Sequence, residues 1–364
     1  MPVWLIVVIA AGAVVAVAVA AALLLRRKSA EIPPAEEEPK ITPGGGEQNS
    51  AVTTVMIRGE PLIVPLVREA LSPDALRQLT ELVSKFPPLS PIATQILAEL
   101  NAREISRERI VQLVSQDPML TMQLLRLANS AAAAQTREVT SHEQAILLLG
   151  YDTVLIVAMR GAVAGLAAKS AGGGFDQQAL LRHNVATGLL AGALARRCRL
   201  ISPSEAVTAG LLHDVGKMVM QDSYPHLVKQ LLDSGASRLG ESRLGKEERL
   251  FGSNHAVQGA VLAARWNLPA LLVNAIELHH HPAVCAMDDY PAKDRELTAV
   301  VFIANQLSKY VDCSGLDDCE VDLPSPDLLT MLNLPQKYED ILELVRPEIR
   351  KQLAIFLEDQ PRQN

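Results

Sequence analysis

Residues 117–130 read DPMLTMQLLRLANS, and this stretch decides the fold. Asp117 can cap a helix through its side chain, and Pro118 suits the first helical position, where a backbone N–H has no partner to lose. Leucines then recur at positions 120, 124, 125 and 127, mixed with polar residues, until Asn129-Ser130. The stretch therefore predicts one short helix with its own start and stop signals.

Start and stop signals for further short helices lie on both sides of this stretch. Ser72 caps a helix that stops before Pro87, and Ser90 and Ser106 begin two more. Residues 140–150 resemble a capping box followed by AILLLG, a run that is too apolar to face water and that predicts a central helix. No β pattern persists among these helical ones, so the body is predicted to be all-α.

The composition agrees with a helical body and argues against nucleic acid as a partner. Residues of the AVILMFWYC set make up 49 % of the chain and aromatic residues only 3 %, a mixture rich in Ala, Leu and Val that suits close-packed helices. The formal net charge of -7 leaves no basic excess to attract a phosphate backbone. The four cysteines lack CxxC spacing, so no disulfide framework is expected and a reducing compartment is compatible with free thiols.

The N-terminal residues have the length and composition of a membrane anchor. Residues 3–25 contain no charged residue, and Gly12 is the only one outside the apolar set. Such a run can cross a hydrocarbon core of about 30 Å, and the basic residues at 26–28 place the following chain in the cytoplasm by the positive-inside rule. A cleaved signal peptide is the alternative, but no basic residue precedes the run. We therefore predict a single-pass anchor at residues 1–28 in the cytoplasmic membrane, with the N-terminus outside.

A linker separates this anchor from the helical body. Residues 29–72 include prolines, the acidic run at residues 36–38 and three glycines at residues 44–46, a composition that buries little apolar surface. The segment is therefore predicted to be flexible. The helical domain is predicted at residues 73–310, and a further helical pattern assigns residues 311–364 to a C-terminal helical extension.

Histidines are concentrated in the second half of the domain. Six of them, with the carboxylate of Asp214, are candidates for one metal site, because imidazole nitrogens suit transition metals and an aspartate can bridge two cations. His142 and His226 are interpreted instead as surface or capping residues. Lys217 stands close to Asp214 in GLLHDVGK, residues 210–217, where a solvated helix residue is the simpler interpretation. The six candidates are His183, His213, His255, His279, His280 and His281.

Four motifs together resemble a known family. The sequences FPPLSPIA at residues 86–93, SQDPML at 115–120, LLRLANS at 124–130 and AILLLG at 145–150 resemble, in order and spacing, the successive signatures of HDOD domains. The resemblance covers roughly residues 75–310. It implies an all-helical fold in which an N-terminal helical subdomain packs on a half related to HD-type phosphohydrolases.

The resemblance also implies a metal-ligand set. The order of His183, His213, Asp214, His255 and the pair His279-His280 is similar to the metal ligands of HD hydrolases and of their cyclic-dinucleotide phosphodiesterase relatives, which implies Fe, Mn or Zn. In such enzymes the residue matching Asp214 belongs to the catalytic metal site, and Lys217 is similar to the lysine that contacts a phosphate.

Two departures from the enzymes put hydrolysis in doubt. FIANQL at residues 302–307 places Asn305 where HD enzymes carry a metal-binding aspartate, and a neutral amide is a weak ligand. The Gly-Tyr-Pro motif of the dinucleotide phosphodiesterases is missing after Pro282. His213-Asp214 could then be an inherited pair that only orients helices, and residues 279–281 a polar turn.

The sequence leaves two functions open. The first is a membrane-anchored signalling module without catalysis, which binds a protein partner or a small ligand. The second is a metal-dependent phosphohydrolase acting on a nucleotide or phosphodiester. A regulator that contacts nucleic acid has little support, because no basic patch with interleaved aromatics is present. The oligomeric state stays open.

Overall fold

Short helices joined by tight turns make up the body of the protein, as the cap and proline signals predict. The first six form the N-terminal subdomain: α1 Pro73–Ser84, α2 Pro91–Leu100, α3 Arg107–Ser115, α4 Pro118–Ala131, α5 His142–Leu149 and α6 Tyr151–Ala167. The computed structural model describes residues 53–57, 60–64, 71–100, 105–131, 139–167, 174–233, 242–287, 290–311, 324–346 and 349.

The second half contains the elements that carry the histidines. They are α7 Gln177–Cys198, α8 Pro203–Leu212, α9 Val215–Ser223, α10 Pro225–Asp233, α11 Arg243–Phe251, α12 His255–Arg265, α13 Ala270–Leu278, a 3-10 turn Pro282–Ala286 and α14 Ala292–Val311. Two further helical stretches, α15 Pro326–Met331 and residues 338–346, fall within the predicted C-terminal extension. Apolar side chains of both stretches join the same hydrophobic core as the two halves.

The predicted caps explain where the first helices begin. The Ser72 hydroxyl accepts a hydrogen bond from the Ala75 N–H at 3.2 Å, and Ser106 caps α3 in the same way. Asp117 Oδ1 accepts from the Met119 and Leu120 N–H groups at 2.9 and 3.0 Å, so the aspartate satisfies two donors that the first turn of α4 leaves open.

The central helix is α6 rather than α5. Helix α6 packs against α2 and α4 of the N-terminal subdomain and against α7, α8 and α9 of the second half. The sequence predicted that AILLLG would be central, but the side chain of Leu147 is 71 % exposed. The reason is helical geometry: Ala145, Ile146 and Leu149 lie on the buried face, and Leu147 points away from it.

A β-hairpin lies within the predicted flexible linker. Strands β1 Thr53–Ile57 and β2 Glu60–Val64 pair antiparallel, with Thr53 opposite Val64 and Ile57 opposite Glu60. The composition of the whole linker hides this short run of β-branched residues, which is why the prediction of a purely flexible segment fails there. The predicted anchor at residues 1–28 and most of the linker lie outside the described residues.

Within the ranges given above, no single helix is both long and apolar enough to cross a bilayer. Helix α5 and residues 151–159 of α6 reach that length and composition only together, across a bend of 108°.

Helix α12 ties the two halves together. The Trp266 indole N–H, just after its last turn, donates to the Pro87 carbonyl at 2.9 Å. The Arg265 guanidinium donates to the Ser84 carbonyl at 2.7 Å and to the Phe86 carbonyl at 3.4 Å. The FPP part of the first motif is thus held by the helix that begins at His255.

Asn129 fixes the end of the DPMLTMQLLRLANS stretch through its side-chain amide. Its amide donates to the Leu125 and Val139 carbonyls, and its Oδ1 accepts from the Val139 N–H at 2.7 Å. Replacing Asn129 with alanine is expected to lower the free energy of unfolding by about 2 kcal/mol, because backbone groups of Val139 lose their partners. Urea denaturation measures this, with the exposed Ser130→Ala as control; equal stability of the two variants would contradict it.

Candidate metal centre

Four separate chain segments bring the predicted ligands into one buried cluster. His183 lies on α7, His213-Asp214 in the turn between α8 and α9, His255 at the first position of α12, and His279-His280 directly after α13. Two groups of ligand atoms form, each with all its atoms within 4.8 Å of one another. One contains Asp214, His255, His279 and His280, and the other contains His183, His213 and Asp214.

Glycines allow the helices that carry these residues to approach closely. A Cβ added at Gly216 would stand 1.8 Å from the His255 carbonyl oxygen and 2.7 Å from the Gly259 nitrogen. A Cβ at Gly210 would stand 2.9 Å from Gly188 Cα. Only a residue without a side chain fits such backbone contacts, so these glycines set the spacing of α7, α8, α9 and α12 around the cluster.

Backbone carbonyls orient two of the imidazoles. His213 Nδ1 lies 2.7 Å from the Gly210 carbonyl and His279 Nδ1 lies 2.6 Å from the Ile276 carbonyl. Because a carbonyl only accepts, both Nδ1 atoms carry the proton and both Nε2 atoms carry a lone pair. Each Nε2 is buried without a hydrogen-bond partner, the state in which a histidine binds a metal.

Glu247 is a functional candidate that the sequence interpretation missed. Its Oε2 accepts from both His255 Nδ1 at 2.6 Å and the His255 backbone N–H at 2.9 Å, and its side chain is fully buried. A carboxylate behind a ligating histidine fixes the ring and raises its basicity. Helical periodicity could have predicted its burial, because Glu247 lies on the same face of α11 as Leu244 and Phe251.

Asp214 lies at the centre of the cluster. Its two oxygens lie 3.2 to 3.8 Å from the Nε2 atoms of four histidines, and Oδ2 accepts from Lys217 Nζ at 2.8 Å. Burial by itself would raise the pKa of this carboxyl, but the electrostatic interactions with the neighbouring His213 and with the Lys217 ammonium group outweigh it, so the pKa lies well below its usual range. Asp214 is therefore an anion. Lys217 is buried against it, not solvated as the sequence suggested.

The surrounding histidines are mainly neutral. Burial lowers the pKa of His183 to about 3, with the nearby His213 adding to the effect, and burial likewise lowers the pKa of His279 and His280 well below the ordinary value. His255 differs: burial again acts to lower its pKa, but the Glu247 charge and hydrogen bonds to Asp214 and Glu247 raise it overall. Neutral imidazoles around one carboxylate are a donor set for a divalent transition metal.

Acid is expected to destabilise the metal-free protein. Below about pH 6.5 the unfolded chain protonates His183, His279 and His280, whereas the native protein, with lowered pKa values, does not. The raised pKa of His255 has the opposite effect. Its contribution to the free energy of unfolding is fully present below about pH 6.5 and is lost as the pH rises through the pKa of His255 in the native protein. The free energy of unfolding should therefore fall below about pH 6.5, by about 1.4 kcal/mol per pH unit for each proton of difference.

Urea denaturation in the presence of a chelator, at about pH 7 and about pH 5, measures this loss. The exposed His226 serves as control, since His226→Ala should leave the pH dependence unchanged. A free energy of unfolding that stays constant or rises toward acid pH would contradict the neutral state of the cluster.

Asn305 lies on the helix that closes the cluster. Its Oδ1 is buried without a hydrogen-bond partner. Ser308, one turn later on α14, lies 3.1 Å from His183 Nδ1 through its hydroxyl, so this face of α14 is directed at the cluster. The role of Asn305 as a degenerate ligand position stays a prediction.

The remaining histidines do not join the two ligand groups. His226 is exposed on α10, in agreement with its interpretation as a surface residue, whereas His142 is the first residue of α5 and the cap of that helix is Ser141. His281 follows the cluster in sequence but belongs to neither group; burial lowers its pKa. Asp214 and five of the six candidate histidines are thus brought together.

The cluster has the donors that a divalent ion requires. The Nε2 atoms of His213 and His279, buried without a hydrogen-bond partner in separate ligand groups, and the anionic Asp214 are donors available to such an ion, and a carboxylate supports His255 from behind. A bound ion would supply Lewis acidity and would lower the pKa of a coordinated water.

Comparisons with known proteins identify several structures of the same fold. Among solved structures, a candidate phosphohydrolase from Shewanella amazonensis is 24 % identical with a TM-score of 0.57, over 77 % of this chain and 97 % of that one. A candidate signal transduction protein from Marinobacter aquaeolei is 23 % identical with a TM-score of 0.61, over 77 % and 65 %. An HDOD domain protein from Geobacter sulfurreducens is 24 % identical with a TM-score of 0.53, over 78 % and 94 %. At these identities the likeness establishes the fold.

Curated relatives match a smaller part of their own length. An uncharacterised protein of Treponema pallidum is 26 % identical over 237 residues, 64 % of this chain and 44 % of that protein. Ribonuclease Y of Mycoplasma mycoides is 28 % identical over 131 residues, 36 % of this chain and 18 % of that protein. The chain thus spans less than half the length of these relatives. The HDOD domain family matches residues 86–282, more than half of the chain. The chain belongs to the HDOD domain family.

Proposed function

We propose that this chain is a regulatory HDOD protein whose buried cluster binds a divalent metal without hydrolysing a phosphoester. The enclosure of the cluster is the observation that carries the proposal. Five of the six cluster residues are buried: His213 and His279 are 0 % exposed, Asp214 and His255 are 1 % exposed, and His183 is 7 % exposed. His280 is half-buried. An ion fits among these side chains, but a hydrolase must also admit its substrate to the metal.

The ligand chemistry supports the same proposal. Asn305 contributes a neutral amide where a carboxylate would otherwise strengthen metal binding and balance the charge of a second cation. Lys217 is held by Asp214, and in that position its ammonium group is not directed at an incoming phosphate. Both features favour a stable, inert centre over a catalytic one.

Metal analysis of the purified full chain, combined with a phosphodiesterase assay, tests the proposal. We expect bound Fe, Mn or Zn and no turnover of bis-p-nitrophenyl phosphate above the level of Asp214→Asn. Turnover that requires Asp214 would overturn the non-catalytic part, and a metal-free protein that takes up no added ion would overturn metal binding.

Phosphohydrolase activity is the second candidate function. It is favoured by the nearly complete His/Asp ligand set and by a fold shared with a candidate phosphohydrolase. If it exists, Asn305→Asp should raise metal affinity and turnover together, because the variant supplies the missing carboxylate. Asn305→Gln is the matched control, since it changes the side-chain length without adding charge.

We also propose that the protein works at the cytoplasmic face of the membrane with a protein partner. The uncharged run at residues 3–25 and the basic residues after it support the anchor, and Met119 and Met122, 58 % and 47 % exposed on α4, offer an apolar contact surface. Membrane fractionation with and without residues 1–28 tests the anchor. Cross-linking of wild type against Met119→Glu tests the surface; unchanged products would argue against it.

A further inference from the structure

The two oxygens of Asp214 face different surroundings. Oδ1 lies 3.2 Å from His255 Nε2 and 3.7 Å from His279 Nε2. Oδ2 lies 3.3 Å from His213 Nε2, 3.8 Å from His183 Nε2 and 2.8 Å from Lys217 Nζ. We name the first set, with His280, the Oδ1 subsite, and His183, His213 and Oδ2 the Oδ2 subsite.

We infer that this chain binds one divalent metal ion, in the Oδ1 subsite, and that the ammonium group of Lys217 neutralises the Oδ2 side in place of a second ion. The inference rests on the proposed metal binding. It adds the subsite in which the ion binds, the number of ions bound per chain, and the side chain that excludes a second ion. It assigns Lys217 the role of a built-in cation.

The spacing of donor atoms in the Oδ1 subsite matches one coordination sphere. His255 Nε2 and His280 Nε2 lie 3.1 Å apart, and the two distances to Oδ1 are 3.2 and 3.7 Å. Ligands on a tetrahedral zinc ion with bonds of about 2.0–2.1 Å are separated by about 3.4 Å. This subsite therefore needs little rearrangement, and Glu247 already holds the His255 ring in position.

The Oδ2 subsite is weaker in both ligands and charge. It offers two imidazoles and an oxygen that already accepts a short hydrogen bond from an ammonium group. Its fourth ligand would be the neutral amide of Asn305, whose Oδ1 is buried without a hydrogen-bond partner. A divalent ion bound to Oδ2 would have to displace Lys217 or stay close to its positive charge.

The charge around the cluster opposes two ions. The carboxylates that act electrostatically on the cluster histidines are Asp214 and Glu247, and the lysines are Lys217 and Lys309, which acts on His183 and His280. Two divalent ions would add four positive charges to a pocket in which the carboxylates already have cationic neighbours. A single divalent ion adds only two positive charges, so the charge of the pocket favours binding of one ion over two.

A matched pair of histidine variants tests the location of the ion. In the full-length protein we expect one Co²⁺ or Zn²⁺ per chain by elemental analysis. His280→Ala removes an imidazole from the Oδ1 subsite and should lower the affinity for the ion by about tenfold or more. His183→Ala removes an imidazole from the Oδ2 subsite and should change the affinity by less than about twofold. The visible absorption of Co²⁺ reports the coordination number directly, and circular dichroism of each variant checks that it is folded.

A second pair tests the role of Lys217. Lys217→Met removes the ammonium group at similar volume, and combined with Asn305→Asp it supplies a carboxylate to the Oδ2 subsite. We expect the double variant to bind two ions per chain, and Lys217→Arg, which keeps the charge, to bind one. Should the double variant misfold, the single Lys217→Gln variant under saturating Zn²⁺ is expected to show partial second-site occupancy.

Three outcomes would overturn the inference. Two ions per wild-type chain would refute single occupancy, and an ion lost in His183→Ala but retained in His280→Ala would place it in the other subsite. A double variant or Lys217→Gln variant that still binds only one ion would remove Lys217 as the excluding group. If the wild type takes up no ion, the proposed metal binding itself fails, a result distinct from all three.

Discussion

Replacing Gly216 with alanine should lower the free energy of unfolding by about 3 kcal/mol or more. At an ordinary helix position the same change stabilises by about 1 kcal/mol, because glycine is a poor helix former. Here the added Cβ would meet the His255 carbonyl oxygen at 1.8 Å and the Gly259 nitrogen at 2.7 Å, and neither is a side chain that can rotate away. Helices α9 and α12 must therefore separate.

The separation should also weaken metal binding, because Asp214 precedes α9 and His255 begins α12. Urea denaturation and metal titration measure the two effects. Gly259→Ala is the graded control: its Cβ would have nearest neighbours at 3.1 to 3.3 Å, which small shifts can accommodate. A Gly216→Ala protein as stable as Gly259→Ala would show that the helices do not pack as closely as described.

Replacing Asp214 with asparagine is expected to reduce the affinity for a divalent metal by about a hundredfold or more. Mutating a residue that only supports a metal ligand already lowers metal affinity by about 10–100-fold. Asp214 is the one residue that the two ligand groups share, so its loss should cost more. The asparagine keeps the shape and removes the charge. Competition with a chelator of known affinity measures the loss.

The same variant should destabilise the metal-free protein. The Lys217 ammonium group would stay buried without its carboxylate, and breaking such a pair costs about 3–5 kcal/mol. Asp340→Asn, exposed on the helical stretch 338–346, is the matched control and should change neither property. Metal affinity that survives in Asp214→Asn would show that the histidines alone form the site.

Local signals predicted the helical architecture well, because caps and prolines act within a few residues of where they stand. Ser72, Ser106 and Asp117 cap helices as expected. Features that depend on tertiary packing were harder to predict. Leu147 belongs to an apolar run, yet it faces outward, and the hairpin at residues 53–64 lies in a segment whose overall composition indicates a linker.

The ligand cluster could be predicted because HD-related chains keep histidines in a recognisable order. Glu247 could not, since KEER at residues 246–249 reads as an exposed charged turn of helix and its burial depends on where α11 packs. The pairing of Lys217 with Asp214 likewise requires knowing which way a side chain turns at the start of α9. The spacing of histidines along the sequence indicates the ligands. The charged residues that pair with those ligands, Lys217 and Glu247, can be identified only from the folded structure.

The hydrogen bonds from Arg265 and Trp266 to residues 84–87 join positions about 180 apart in the chain. During synthesis at the ribosome, the N-terminal helices emerge long before these donors have been made. Until then the carbonyls of Ser84 and Pro87 have only water as a partner. The N-terminal subdomain thus completes its folding late, and a stalled or truncated nascent chain would expose its apolar surface to chaperones and proteases.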